Sequence, residues 1–506
     1  MALPLVTVLL LALSAAAGPA EPAQPAQPSI EQAWKPLRGG GPAVTAIAVR
    51  MTISGLPDSA GRRFSLDVPI TYAGVAGIAD RVRDLMVADP SGAVPLTPED
   101  DPADPSGFPF FRHLRAGRPV SFPVVVTYRA LAPAEPLRGP PFGLYAAYGG
   151  VSGAGAGFLV LPEFETPVLH RVHWDLSDFP AGATAASSFG VGDFSLTVPP
   201  AALRQGWIMA GPLGSYPPAG AGRFSAFWLG TPVWDPDAEM AWAGRMFRYL
   251  GDFYEYLPLP SYRVFVRVAP PGSRFNGSGT ALDSSFMAGA EARAAGAPPS
   301  GEANRETFAH EMGHLFVGGI EAPPGIGSWF TEGLNTYYTR LLRMRGGFSS
   351  VADYLREVND DFGTYYRSPA RNFSADSIAR IGFRDEDVRH IPYLRGSLYF
   401  AELDAQVRAR SAGRRNLDIL VRELFRRRAA GVRFDQAAWI DLVVGELGPA
   451  AREEFEGLIL RGERTLVPAS DAFGPCAERV AEPGAVGETG YRWVRKPGVD
   501  DEACRR

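Results

Sequence analysis

Lysine is almost missing from this 506-residue chain: Lys35 and Lys496 stand alone, and every other basic side chain is arginine. In a sequence also rich in Ala, Gly and Pro, this carries no functional reading. Excess positive charge is missing too. With 50 basic and 55 acidic residues the net charge is −5, which removes the electrostatic hold on phosphates that nucleic-acid binding needs, so no nucleic-acid partner is expected. Long apolar runs are absent: no stretch reaches the eighteen or so residues that cross a bilayer. The N-terminal "MALPLVTVLLLALSAAAGPA" holds an apolar run of roughly fifteen residues ending in small ones, the form of a signal peptide cleaved after Ala17. Export to a periplasmic or extracellular space is therefore expected, with no stable membrane span after cleavage. The leader lacks an early Lys or Arg, which leaves an uncleaved anchor as the alternative. Cysteine is scarce: Cys476 and Cys504 both fall in the last 31 residues, outside the segments read as core. In an oxidising compartment they could staple the tail; the alternative is two free thiols. Two thiolates with no histidine nearby supply too few ligands for a zinc site.

What is present is an ordinary globular composition, 46% hydrophobic and 21% charged, long enough for more than one domain. Residues 18–42, rich in Pro, Ala and Gly, read as a linker. From 43 to 199, short alternating or β-branched runs such as "AVTAIAVRMTI" and "VSFPVVVTY" stand between Gly/Pro/Asp turns. They predict an all-β, sandwich-like domain. Near residue 235 the period changes: an Asp-capped helical pattern precedes the strand "YRVFVRV". Beyond 302 nearly every segment reads as helix, namely 302–318, 328–343, 349–361, 392–410, 415–428 and 434–462 with a break. The expected fold is multidomain α+β, with the β domain in front of a 200–466 domain that has a small sheet and a mostly helical lobe. Residues 467–506 form a tail.

Only six histidines occur, and two of them stand four apart in "ETFAHEMGHLFVGG". On a helix, His310 and His314 lie one turn apart on one face, so both imidazoles can reach one ion. Glu311 points about a quarter turn away, where it can take a proton from a zinc-activated water without being a ligand. A pair of unliganded helix histidines is the plain alternative. Eighteen positions after His314, Glu332 stands in "SWFTEGLNTYY", beyond the turn-forming "EAPPGIG". Two helices joined by such a loop can pack antiparallel and bring Glu332 to the ion. One Zn2+ per chain, held by His310, His314 and Glu332, is the expectation. Four-ligand structural zinc fits less well, since no fourth ligand is evident.

H-E-x-x-H followed by W-F-x-E-G-x-x-x-Y-Y resembles the gluzincin metallopeptidases, the thermolysin-like and aminopeptidase-like zinc enzymes. Seventeen residues separate His314 from Glu332, against eighteen in the common aminopeptidase spacing. Farther on, "IPYLRGSLYFAELDAQVRARSAGRRNLDILVRELFRR" is similar to the tyrosine-bearing helix of the glycyl aminopeptidase family. The resemblance covers roughly residues 200 to 465. It implies a thermolysin-like catalytic domain, Glu311 as general base and acid, and Tyr393 as a hydrogen-bond donor to the tetrahedral oxyanion.

The chain departs from that family in two places. The family's Gly-rich strand carries a glutamate understood to bind the substrate's free amine; the corresponding "RFNGSGTALDSSFMAG" lacks it. Gly277 and Gly279 would still let a substrate backbone approach as an added strand, and Asp283 is the nearest acidic candidate, or else a turn aspartate. Only about forty residues follow Leu466, too few for the C-terminal PDZ domain often found in the family. A secreted zinc peptidase acting on peptides or proteins is the leading expectation, an aminopeptidase more than an endopeptidase. A zinc- or peptide-binding relative without turnover is the alternative.

Overall fold

The computed structural model describes residues 28–505 apart from 56–62, 134–139, 272–278, 283, 433 and 484–488. The leader, Gly277 and Asp283 lie outside the described residues.

The first strand begins earlier than the composition suggests. Ser29–Arg38, read above as linker, is a ten-residue strand whose Ile30, Gln32, Trp34 and Pro36 turn inward at period two. It runs parallel to Val168–Trp174 and antiparallel to Val44–Ile53, near the middle of a seven-stranded sheet. Trp34 is its anchor, packed edge-on against Phe158 and Trp174. Two further sheets complete the β region, one built on Ser65–Tyr72 and Phe110–Ala116, the other on Gly150–Ala154 and Trp207–Gly211. Their buried residues form one core with those of the first sheet. The β domain therefore runs on to Gly211 rather than ending at 199, because Trp207–Gly211 pairs with both Gly150–Ala154 and Thr184–Ser187.

The following domain is built on a five-stranded mixed sheet. Phe224–Leu229, Tyr262–Ala269 and Ser285–Glu291 run parallel, and Gly279–Leu282 lies antiparallel at one edge. The helix Pro236–Phe253 makes the crossover, with Asp235 accepting from the backbone N–H groups of Asp237 and Ala238. Alternation along the sheet divides its loyalties. Val264 and Val266 pack into the helical lobe, whereas Phe227, Phe265 and Met287 belong to the core of the β domain. Polar contacts reinforce that junction: buried Arg267 donates to Ser152 Oγ at 2.9 Å and to the Gly143 carbonyl at 2.9 Å, and Ser188 Oγ meets Ser285 Oγ at 2.6 Å.

The helical lobe follows the expected order, with helices at Arg305–Val317, Ser328–Arg345, Val351–Arg367, Ile391–Arg410, Leu417–Ala429 and Gln436–Leu447. The tail differs from its reading as material outside the core. Ala477–Pro483 and Thr489–Arg495 form a hairpin, Trp493 is buried against Phe362 and Phe473, and Cys476 and Cys504 form a disulfide. Both sulfurs sit in the core of the helical lobe. Sparse hydrophobics hid this, because few large apolar side chains, Phe473 and Trp493 among them, anchor the tail. Among the described residues, no helix is long and apolar enough to cross a membrane.

Candidate metal centre and substrate cleft

His310 and His314 project from the helix Arg305–Val317, whose N-cap Asn304 accepts from the Thr307 N–H. Glu332 comes from the first turn and a half of Ser328–Arg345. Its Oε2 stands 3.2 Å from His310 Nε2 and 3.3 Å from His314 Nε2. The three donor atoms lie within 4.8 Å of one another. Two imidazole nitrogens and one carboxylate oxygen suit a borderline-soft ion such as zinc, and three protein donors leave a position open for substrate or water. Among the described residues this is the one cluster of at least three such donors.

Small residues and buried amides hold the two helices at this spacing. A Cβ at Gly313 would lie 2.0 Å from Asn335 Oδ1, so glycine between the histidines lets the second helix come close. Asn335 uses that proximity to donate to the His310 carbonyl at 2.7 Å. From the sheet, the Tyr262 hydroxyl donates to the Glu311 carbonyl at 3.1 Å. A matched contact brings in the helix Ile391–Arg410: a Cβ at Gly333 would lie 2.6 Å from Gly396 Cα, and one at Gly396 would lie 2.5 Å from the Trp329 carbonyl. The glycine after Glu332 and the glycine three positions after Tyr393 thus form one crossing point. None of Asn335, Tyr262 or these glycine contacts was foreseen from sequence, although E-G and Y-x-R-G were visible as fragments.

At that crossing the Tyr393 ring stacks on His310, with centroids 5.8 Å apart and planes 22° from parallel. Its hydroxyl hydrogen-bonds Glu332, and burial raises its pKa well above that of an ordinary phenol. The group is therefore a neutral donor at pH 7. Burial also raises the Glu311 carboxyl, against the opposing pull of the two histidines. For His314, burial pushes the imidazole down, but the Glu332 carboxylate more than reverses this and brings it to about 9 in the absence of metal. Burial opposes ionisation of Glu332, yet His314 and His310 overcome it and hold the carboxyl far below its ordinary range.

Glu311, His314, Glu332 and Tyr393 open on a cleft of ≈ 850 Å³. One wall is the edge strand: Gly279, Thr280 and Ala281 line the cleft, and the Ala281 backbone hydrogen-bonds the Glu311 carboxylate. A Cβ at Gly279 would lie 2.9 Å from Glu311 Cγ, which gives that glycine a steric reason. The lining is shared between the domains: Gly74 and Phe142 of the β domain contribute to it together with Phe383, Glu386 and Arg389, which precede the tyrosine helix.

No family model and no curated relative matches the chain. Solved structures do match. An aminopeptidase N family protein from Idiomarina loihiensis aligns over 90% of this chain and 79% of its own, with 14% identity and a TM-score of 0.69. The M1 zinc metallopeptidase of Deinococcus radiodurans, in a variant bound to a Tyr-Ser-Ala substrate, aligns over 87% of this chain and 95% of its own, with 18% identity and a TM-score of 0.52. A yeast leukotriene A4 hydrolase in complex with bestatin aligns over 86% and 68%, with 13% identity and a TM-score of 0.51. The chain thus shares the fold of these solved zinc peptidase structures, a β-rich domain followed by a mixed domain with a helical lobe.

Proposed function

We propose that the chain is a zinc-dependent metallopeptidase that hydrolyses peptide bonds, in its most economical form an aminopeptidase, exported by its N-terminal leader. The observation that carries this is that a His310, His314 and Glu332 donor cluster opens, through His314 and Glu332, on the same cleft that Glu311, Tyr393 and a glycine-bearing edge strand line. His310, His314 and Glu332 would hold the zinc. When bound, zinc supplies a Lewis acid that polarises the scissile carbonyl and acidifies the attacking water. Backbone groups of Thr280 and Ala281 pair with an extended substrate as an added strand. Glu311, whose pKa burial has raised, accepts the proton of the water and passes it to the leaving amine. Tyr393 keeps its proton and donates a hydrogen bond to the carbonyl oxygen as negative charge develops there.

An endopeptidase of the same fold is the second reading, because Gly279, Thr280, Ala281 and Leu282 of the edge strand carry no carboxylate for a substrate amine. Zinc analysis of the purified protein and mass-spectrometric profiling of a mixed peptide library test the proposal. About one zinc per chain is expected, lost in His314→Ala, since two ligands hold the ion poorly. Glu311→Gln should keep the zinc and lower turnover by about 10²–10⁴-fold. A zinc-loaded parent protein that cleaves no library peptide would leave only the non-catalytic relative.

A further inference from the structure

Resting on the peptidase reading above, we propose that Glu386 is the carboxylate that receives the free α-ammonium of the substrate, with Arg389 as its partner when the cleft is empty. An ammonium buried without a counter-charge is strongly disfavoured, so an exopeptidase cleft needs a carboxylate outside the reacting group. Among the described residues lining the cleft, three side chains are carboxylates: Glu311, Glu332 and Glu386. The first two are committed to the reaction and the metal. The edge strand cannot supply another: Gly279, Thr280 and Ala281 are uncharged, and Leu282, the next position, is buried and apolar.

Glu386 is poised rather than spent. Its side chain is 74% exposed and meets Arg389 Nη2 through Oε1 at 3.2 Å. Among the described residues nothing bonds Oε2. An ion pair this exposed is weak, so a second cation can share or replace the arginine. Its wall is also fixed in place. The Phe383 N–H donates to the Ser106 carbonyl at 2.7 Å, Phe383 packs edge-on against Phe108, and a Cβ at Gly74 or Gly107 would lie 3.1 Å from Phe383 Cβ. The β domain thus clamps the segment that carries Glu386, and the carboxylate stands seven residues before Tyr393, which lines the same cleft. A carboxylate set at such a fixed place can accept from the ammonium and register the peptide end against the reacting carbonyl.

The test uses binding, so it does not depend on turnover. Full-length protein carrying Glu311→Gln is immobilised and exposed to an equimolar library of free-amine tripeptides and its N-acetylated twin, and retention is read by mass spectrometry. The free-amine set should be retained at least tenfold over the acetylated set, and adding Glu386→Gln should abolish that preference. Arg389→Leu in the same background should increase it, because a competing cation is removed; a merely structural role for the pair gives no such gain. Equal retention of both sets, retention of neither, or a preference that survives Glu386→Gln but falls with Asp283→Asn would overturn the assignment. If the preference depends on Glu386 yet the parent enzyme hydrolyses nothing, the peptidase reading fails and this assignment stands.

Discussion

At the scale of single residues, the site was legible where the chemistry demands a fixed interval. One helical turn between His310 and His314, and a glutamate just inside the next helix, are enough to pick out the three candidate donors that the fold brings within 4.8 Å of one another, because helix geometry converts spacing directly into position. What could not be read were contacts between elements: Asn335 to the His310 carbonyl, Tyr262 to the Glu311 carbonyl, and Glu386 facing the cleft from a segment with no motif. Gly277 and Asp283 lie outside the described residues. Two predictions belong at this scale. Tyr393→Phe should lower kcat by about 10²–10³-fold with little change in KM, as for a donor used mainly in the transition state; losses shared equally between kcat and KM would remove that role. The second concerns protons. The metal-free His314 has its pKa raised to about 9 by Glu332, so at pH 7 it is protonated and must lose that proton to become a ligand. Zinc affinity should therefore rise as pH rises toward 9, by up to about tenfold per unit for this one group, and flatten above it. Calorimetry in buffers of different ionisation enthalpy should find about one proton released from this site at pH 7. Zinc uptake with no proton release would contradict the assignment.

At the scale of elements, the helices of the helical lobe were readable because apolar residues recur along them at helical spacing and most carry Asn, Asp or Ser caps. Ser29–Arg38 was not, since its leading edge merges with a Pro/Ala-rich stretch and its core face includes a glutamine and a proline in place of two apolar residues. The crossing of Gly333 with Gly396 gives the prediction for this scale. Gly396→Ala places a methyl 2.5 Å from the Trp329 carbonyl and 2.8 Å from Gly333 Cα, both backbone atoms that move only if a helix moves. Overpacking of this kind costs about 1–3 kcal/mol. Thermal unfolding should show that loss, and kcat should fall as Tyr393 is displaced from Glu332; because Glu332 stands beside Gly333 on the helix that is pushed, zinc affinity should weaken as well. An unchanged melting temperature with full activity would show that the crossing tolerates a methyl and that the glycine pair does not set the position of Tyr393.

At the scale of the whole molecule, sequence composition drew the domain boundary too early because it looks for a change of period, whereas the real junction is a shared core. Trp207–Gly211 still belongs to the β domain, and the sheet of the next domain lends it Phe227, Phe265 and Met287, each 2% exposed or less. Arg267 crosses the same junction to Ser152 and Gly143, and the cleft itself needs Gly74 and Phe142 for one wall. The region from residue 212 on is thus not an independent folding unit with a spare domain in front. Cutting the chain before residue 212 would expose three large apolar side chains on one face of a sheet, worth about 1.5–3 kcal/mol each when buried, and would leave the Arg267 guanidinium without these acceptors. Against a total stability of about 5–15 kcal/mol, that loss is decisive. A fragment spanning 212–505 should therefore aggregate or remain without cooperative unfolding, and co-expression with residues 18–211 should restore both a sharp thermal transition and zinc retention. Recovery of the fragment alone as a monomer with a cooperative transition and the parent's peptide preference would show that the β domain is an attachment rather than half of the core.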